Sequence, residues 1–318
     1  MQTPASVVSD DPTNGTGRLT ARQEKKTMLS RRKLVTAALL GAPAVLAARV
    51  RAERLGQQPN DAIAALERRH GGRLGVAILD TAGGQKAIVH RGDERFLMCS
   101  THKLVSAALI LARVDRGEES LSRRIVYPRS AVVTYSPFTE KHAGGGGLTL
   151  ARLCEAALTL SDNTAANLLL DSFGGPPQWT AFARSLGDQV SRLDRREPEL
   201  NYGDAGDPRD TTSPMAMLGT MRKLLIGRTL SAASREQLLV WLVACQTGSQ
   251  RLRAGLPSSW RAGDKTGSGG RNGANDIAIF LPPRRAPILV TAYYAESAAS
   301  PDERNSVLAD VGRLAANL

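Results

Sequence analysis

Aromatic side chains are scarce in this 318-residue chain, at 4 %. A core must then be assembled from Ala, Leu and Val, and a ladder of stacking rings for nucleic acid is excluded. Cysteine is rare too. Cys99, Cys154 and Cys245 are an odd number, so full pairing into disulfides is impossible. Cys154, in LARLCEAALTL, falls on an apolar helix face and reads as a small buried hydrophobe. The four histidines, His70, His90, His102 and His142, are isolated, with no paired spacing, so no zinc centre and no other cofactor is expected. There are no internal repeats and no linker long enough to separate independent domains. The hydrophobic content of 42 % nonetheless supports a real core.

The formal charge of +12 is unevenly spread. Residues 1–52 carry nine Lys or Arg against Asp10, Asp11 and Glu24, half of the excess. Elsewhere acids and bases are interspersed, as on a solvated surface, and no nucleic-acid partner is expected. The N-terminal charges introduce an address: Arg31, Arg32 and Lys33, an apolar stretch over 34–48, then a small-residue exit near Ala52. That stretch is too short to span a bilayer comfortably. SRRKLV at 30–35 resembles a twin-arginine export signal. An uncleaved basic anchor is the alternative, and no cysteine follows the run to carry a lipid. Residues 1–52 are thus an N-terminal extension and export signal, with the signal proper at about 28–52 and Met28 a candidate start. The expected location is periplasmic or secreted, without a stable membrane anchor after cleavage.

The pattern beyond residue 53 predicts a helix over 60–72, capped by Asn60 or Asp61, and then a hairpin of strands 75–79 and 86–90 around Gly83-Gly84. Helices follow over 104–114, 148–160, 165–173, 179–185, 214–225 and 234–245. Strands return at 261–266, 276–280 and 288–294, and a helix over 301–318 closes the chain. Residues 195–214, RREPELNYGDAGDPRDTTSP, lack apolar periodicity and form a long surface loop of the kind that tends to be functional. Strands at both ends with helices between predict an α+β fold with one shared sheet.

Four local patterns carry chemistry. Ser100 and Lys103, at S-x-x-K, share a face at the start of an apolar helix. A serine hydroxyl needs a base to become a nucleophile, and a desolvated lysine is one candidate. Alone the pair is weak, since Ser30 and Lys33 match as well, and an N-cap with a snorkelling lysine would explain it. S-D-N at Ser161, Asp162 and Asn163 lies between two helices. K-T-G at Lys265, Thr266 and Gly267 lies on a late strand that runs into Ser268, Gly269 and Gly270, where a ligand can approach the backbone. In the long loop, Glu197 precedes a proline, with Asn201 four residues on.

The first three, in this order, are the set of class A β-lactamases and penicillin-binding proteins. With YSPFTEKH at 135–142, SDNTAANLLL at 161–170, EPELN at 197–201 and DPRDTTSP at 207–214, the chain resembles a class A serine β-lactamase over nearly all of 60–318. It looks like the chromosomal enzymes exported by the twin-arginine route. The resemblance implies the β-lactamase/D,D-peptidase-like α+β fold: an antiparallel sheet from N- and C-terminal strands, an all-helical lobe, and the active site between them. Residues 53–318 would be the catalytic domain, its α/β part at about 53–98 and 254–318 and its helical part at about 99–253.

The same resemblance implies roles. Ser100 would be acylated, with Lys103 its buried partner. Backbone N–H groups of Ser100 and Ser268 would hold the oxyanion. Ser161 would pass a proton to the departing ring nitrogen, and Asn163 would bond the substrate's side-chain amide. Lys265, Thr266 and Ser268 would face the substrate carboxylate, and Tyr135 would wall the cleft. Glu197 with Asn201 would hold the hydrolytic water, and either Lys103 or Glu197 could be the acylation base. Arg195 and Asp210 would form an ion pair across the neck of the loop. Substrates would be penicillins and cephalosporins, the product antibiotic resistance, and the assembly a monomer.

The chain departs from the family pattern at several points. His102 stands where an apolar aromatic is usual and reads as a polar wall residue. Ala274 replaces an arginine that helps bind the carboxylate, and Arg251 matches the site from which other members supply that charge; otherwise it is a surface arginine. Cys99 and Cys154 lack the partners that pair with them in some members, Gly269 and Ala107 standing there instead. HAGGGGLT at 142–149 is slightly long. Two other readings share the motifs. A penicillin-binding D,D-peptidase should lack Glu197 in its full context, and a non-catalytic exported binding protein should not keep every polar group.

Overall fold

The computed structural model describes residues 59–83 and 87–318. The export signal expected at 28–52 lies outside them, as do residues 84–86 of the hairpin turn. Among the described residues no helix is long and apolar enough to cross a membrane.

A five-stranded antiparallel sheet runs in the order β2-β1-β9-β8-β7. Its strands are β1 (Arg73–Asp80), β2 (Ile88–His90), β7 (Arg261–Gly269), β8 (Gly273–Leu281) and β9 (Ile288–Ala295). The short strands β3 (Phe96–Leu97) and β6 (Thr211–Thr212) form one two-stranded ladder, and β4 (Arg124–Ile125) and β5 (Leu148–Thr149) another. The central strands are buried on both faces, which is why they read as continuous apolar runs. Period-two alternation divides their side chains between two cores. Leu74, Val76, Ile78, Val290 and Phe280 pack with Ile63 and with Val307, Leu308 and Val311. Those partners come from a helix over 59–70, α1, and from α8 (Pro301–Ala316). Ala77, Leu79, Ile277, Ile279 and Tyr293 face the larger core of the helical lobe.

That lobe is built around α2 (His102–Asp115), buried from His102 through Ala112. A helix apolar on every side belongs in a core. Around it lie α3 (Leu150–Thr159), α4 (Asn163–Phe173), α5 (Pro176–Ser185), α6 (Pro214–Leu225) and α7 (Ala232–Val243). Thr149, Asp162, Ser213 and Ser231 cap four of these with side-chain oxygens. The three cysteines are buried and free, as small core residues.

Several boundaries differ from the sequence pattern. α2 and α4 start two residues early, because polar side chains of the site occupy their first turns and hide the apolar period. β7 continues to Gly269 because Ser268 and Gly269 pair with Ala274 and Gly273 of β8. Asn60 is not a cap. It lies within α1, and its Oδ1 accepts the Val89 N–H at 3.0 Å. The long loop is not simply surface, for Glu197, Leu200 and Asn201 are buried along its inner side.

Candidate active site

Ser100 sits on a 3-10 turn, Cys99–Thr101, that leads directly into α2. The turn begins with a left-handed residue, Cys99 at φ 46°. Tyr135, Ser161 and Asp210, all around the same site, are left-handed as well. Non-glycine residues hold this conformation at a cost of roughly 1–2 kcal/mol each, so the surrounding packing must impose it. Gly267 lets β7 lie against the turn: a Cβ there would stand 2.8 Å from Met98 O and 3.3 Å from Ser100 N. Asn275 of β8 also ties the turn down, donating to Leu97 O at 2.9 Å.

The Ser100 hydroxyl donates to Glu197 Oε1 at 3.3 Å. Lys103, one turn along, is fully buried. Its Nζ lies 2.8 Å from Ser161 O, 2.6 Å from Asn163 Oδ1 and 3.0 Å from Glu197 Oε1. Ser161 Oγ, at 3.4 Å, is a fourth acceptor within reach of its three N–H donors. The hydrogen bond of the serine hydroxyl goes to the glutamate, not to the lysine that its spacing brings onto the same face.

Burial by itself would raise the Glu197 carboxyl. The charge of Lys103, with hydrogen bonds from His102 and Lys103, reverses this and holds it well below the ordinary carboxylate range. Burial pushes Lys103 down from its ordinary value, and Glu197 opposes that shift.

Ser161 and Asp162 form the turn before α4, and Asn163 is that helix's first residue. Asp162 accepts the N–H groups of Phe138 and Thr139 at 3.0 and 2.9 Å, and Asn163 Nδ2 donates to Thr134 O at 2.9 Å. S-D-N thus anchors the segment that carries Tyr135 to the mouth of the cleft. With Oδ1 on Lys103, Asn163 retains one amide N–H for a ligand.

On β7, Lys265 is fully buried, and its Nζ lies 3.0 Å from Ser161 Oγ and 2.9 Å from Thr266 O. Burial and the nearby charge of Lys103 lower its ammonium to about 8. Thr266 Oγ1 meets Thr247 Oγ1 at 2.6 Å. Arg251 is not a free surface arginine. It donates to Gly267 O at 2.8 Å, Asn275 O at 2.7 Å, Ser268 Oγ at 2.7 Å and Asn305 Oδ1 at 2.9 Å. Its charge is delivered to the strand on which Ala274 has none to offer.

The loop brings Glu197 and Asn201 together, Asn201 Nδ2 donating to Glu197 Oε2 at 2.5 Å. Its neck is closed by Arg195 Nε on Asp210 Oδ2 at 2.6 Å, and Asp210 Oδ1 accepts the N–H of Asp194 and of Arg195. A cleft of about 620 Å³ results, with Ser100, Ser161, Thr266 and Arg251 among the residues that line it.

His102 does not wall this cleft. It is fully buried behind it, with Nε2 3.3 Å from Glu197 Oε1. Sequence reasoning also missed Asn167, whose side chain clasps the backbone of Glu197, accepting from N at 3.0 Å and donating to O at 2.9 Å. Its place four residues after Asn163, on the same face of α4, was the available signal. Thr247 and Tyr202, which also line the cleft, had none. Among the described residues no cluster of His, Cys, Asp or Glu could hold a metal.

A hydroxyl held on a buried carboxylate, with cations ready for an anionic substrate, is the equipment of a serine hydrolase that works through an acyl-enzyme. The chain belongs to the β-lactamase enzyme family, whose model matches residues 58–318. It is 46 % identical to β-lactamase CTX-M-8 of Citrobacter amalonaticus over 260 residues, 81 % of this chain and 89 % of that protein. β-Lactamase OXY-1 of Klebsiella oxytoca is 46 % identical over 252 residues, 79 % of this chain and 86 % of its own. Among solved structures, an ancestral class A β-lactamase aligns with a TM-score of 0.79 at 62 % identity, covering 80 % of this chain and 98 % of that one. The protein is a class A serine β-lactamase, a hydrolase of β-lactams that gives resistance to them.

Proposed function

We propose that Ser100 attacks the ring carbonyl of penicillins and cephalosporins and that Glu197 takes its proton. The contact of 3.3 Å between hydroxyl and carboxylate carries this reading. Lys103, held among acceptors, acts first as a charge that keeps Glu197 ionised. The N–H groups of Ser100 and Ser268 stabilise the oxyanion. Ser161, beside the Lys265 and Lys103 ammonium groups, passes a proton to the ring nitrogen as the C–N bond breaks. Lys265, Thr266, Ser268 and Arg251 hold the substrate carboxylate, Asn163 offers its remaining N–H to the side-chain amide, and Tyr135 walls the cleft. Glu197, steadied by Asn201, then activates the water that attacks the ester. Such a carboxylate beside the nucleophile argues against a D,D-peptidase, in which the acyl-enzyme would persist.

Rapid quench with a penicillin and intact-mass spectrometry test the assignment. The wild type should carry one penicilloyl group on Ser100, and Ser100→Ala should carry none and lose turnover. An adduct mapped to another residue overturns it. We further infer twin-arginine export to the periplasm or medium, supported by the order of basic, apolar and small residues over 28–52, and action there as a monomer, free of nucleic acid and of a membrane anchor.

A further inference from the structure

His102 lies beside the base rather than the substrate. Its backbone carbonyl accepts the Trp179 indole N–H at 3.1 Å, which fixes the start of α2. Its ring, 0 % exposed, spans from Glu197 Oε1 on one side to Ser106 Oγ on the other, 3.3 Å to each. A carboxylate can only accept, so the Nε2 that faces Glu197 carries the proton. Full burial lowers the imidazole below its ordinary value and the Lys103 charge adds to this, outweighing Glu197, which favours imidazolium; the ring is read as neutral. Nδ1 then lacks a proton and faces the hydroxyl of Ser106 one helical turn on, whose single O–H has both Nδ1 and the His102 carbonyl within reach. The same hydroxyl is 3.3 Å from His102 O.

Glu197 Oε1 thus meets three groups, Ser100 Oγ, Lys103 Nζ and His102 Nε2, while Oε2 has Asn201. Two of them are flexible or reactive. Lys103 ends a four-carbon stem, and Ser100 leaves the set as soon as it is acylated. A fully buried imidazole, wedged between Glu197 and Ser106, is the rigid member. An apolar ring of similar shape would fill the same space and offer Glu197 nothing.

We propose that His102 is a positioning residue for the hydrolytic step: its Nε2–H holds the Glu197 carboxylate in place while Ser100 is esterified and can no longer do so. The proposal rests on Glu197 being the group that activates the water. It predicts that the donor matters more after acylation than before.

The test compares His102→Phe, which keeps a ring without a donor, with His102→Gln, whose side-chain N–H can replace Nε2–H. Acylation and deacylation rates with a good penicillin are measured separately by rapid quench, and melting curves establish that both variants fold. In His102→Phe deacylation should slow by about tenfold, the size expected for losing one hydrogen bond to a charged group, with acylation changed less. Because the acyl-enzyme then accumulates, kcat and KM should fall together. His102→Gln should recover most of the loss. Wild-type deacylation in His102→Phe overturns the proposal, and so does an equal loss in both variants, since that assigns the effect to packing. Glu197→Ala, run in the same assay, tests the underlying role of Glu197 separately.

Discussion

The Lys103 ammonium lies 3.0 Å from Glu197 Oε1, with both side chains fully buried. Each stabilises the charged form of the other. Removing one partner of a buried pair usually leaves a costly unpaired charge, but a buried lysine can escape that cost by losing its proton. Glu197→Ala should therefore create a new base, a neutral Lys103, one helical turn from Ser100. Acylation should survive. Deacylation, which needs a base beside the water, should slow by about 10²–10⁴-fold. The variant should show a burst of about one equivalent and then stall as a covalent adduct on Ser100. Stopped-flow and mass spectrometry read both. Deacylation at the wild-type rate would remove Glu197 from the hydrolytic step.

Lys265 should make the enzyme sensitive to alkali. Its ammonium, lowered to about 8, is charged below that pH and loses its charge as pH rises through it. Since kcat/KM reports the free enzyme, its profile with a penicillin should fall on the alkaline side near pH 8. In kcat the fall should come later, because a bound substrate carboxylate favours the charged amine. Lys265→Arg, charged throughout, should move the limb of kcat/KM to higher pH. An unchanged limb in Lys265→Arg would assign the ionisation to another group.

Arg251 reaches two backbone carbonyls and the Ser268 hydroxyl, so it both shapes the strand and charges it. Arg251→Ala should lower kcat/KM for penicillins by about ten- to a hundredfold, the value of a charge-assisted contact of roughly 1.5–3 kcal/mol. Most of the change should be in KM if ground and transition states use the charge alike. Steady-state kinetics indistinguishable from wild type would leave Lys265 as the anchor.

Arg31 and Arg32, changed together to Lys, should keep the protein in the cytoplasm. Cell fractionation with an activity assay decides it. Undiminished periplasmic activity would indicate the general secretion route instead.

The amino-acid sequence alone determined what local spacing can determine. Ser100 and Lys103 fall on one helical face, the S-D-N turn separates two apolar helices, and K-T-G leads a strand into small residues. The two-sided burial of the sheet is written in its continuous apolar runs. The choice of partners was decided only by tertiary structure. Ser100 finds Glu197 97 residues away, and His102 finds it at a separation of 95. Arg251 reaches the backbone of β7 and β8, Asn167 clasps the Glu197 backbone, and Asn275 pins the nucleophile turn. Spacing within a helix or strand constrains neighbours over one or two turns, through backbone geometry. Contacts between distant segments depend on how the helical lobe and the sheet pack. A buried polar group takes whichever partner that packing leaves within hydrogen-bond distance, because leaving it without one is costly. For that reason His102, which reads in sequence as a polar residue at the edge of a cleft, stands in the fold behind the base.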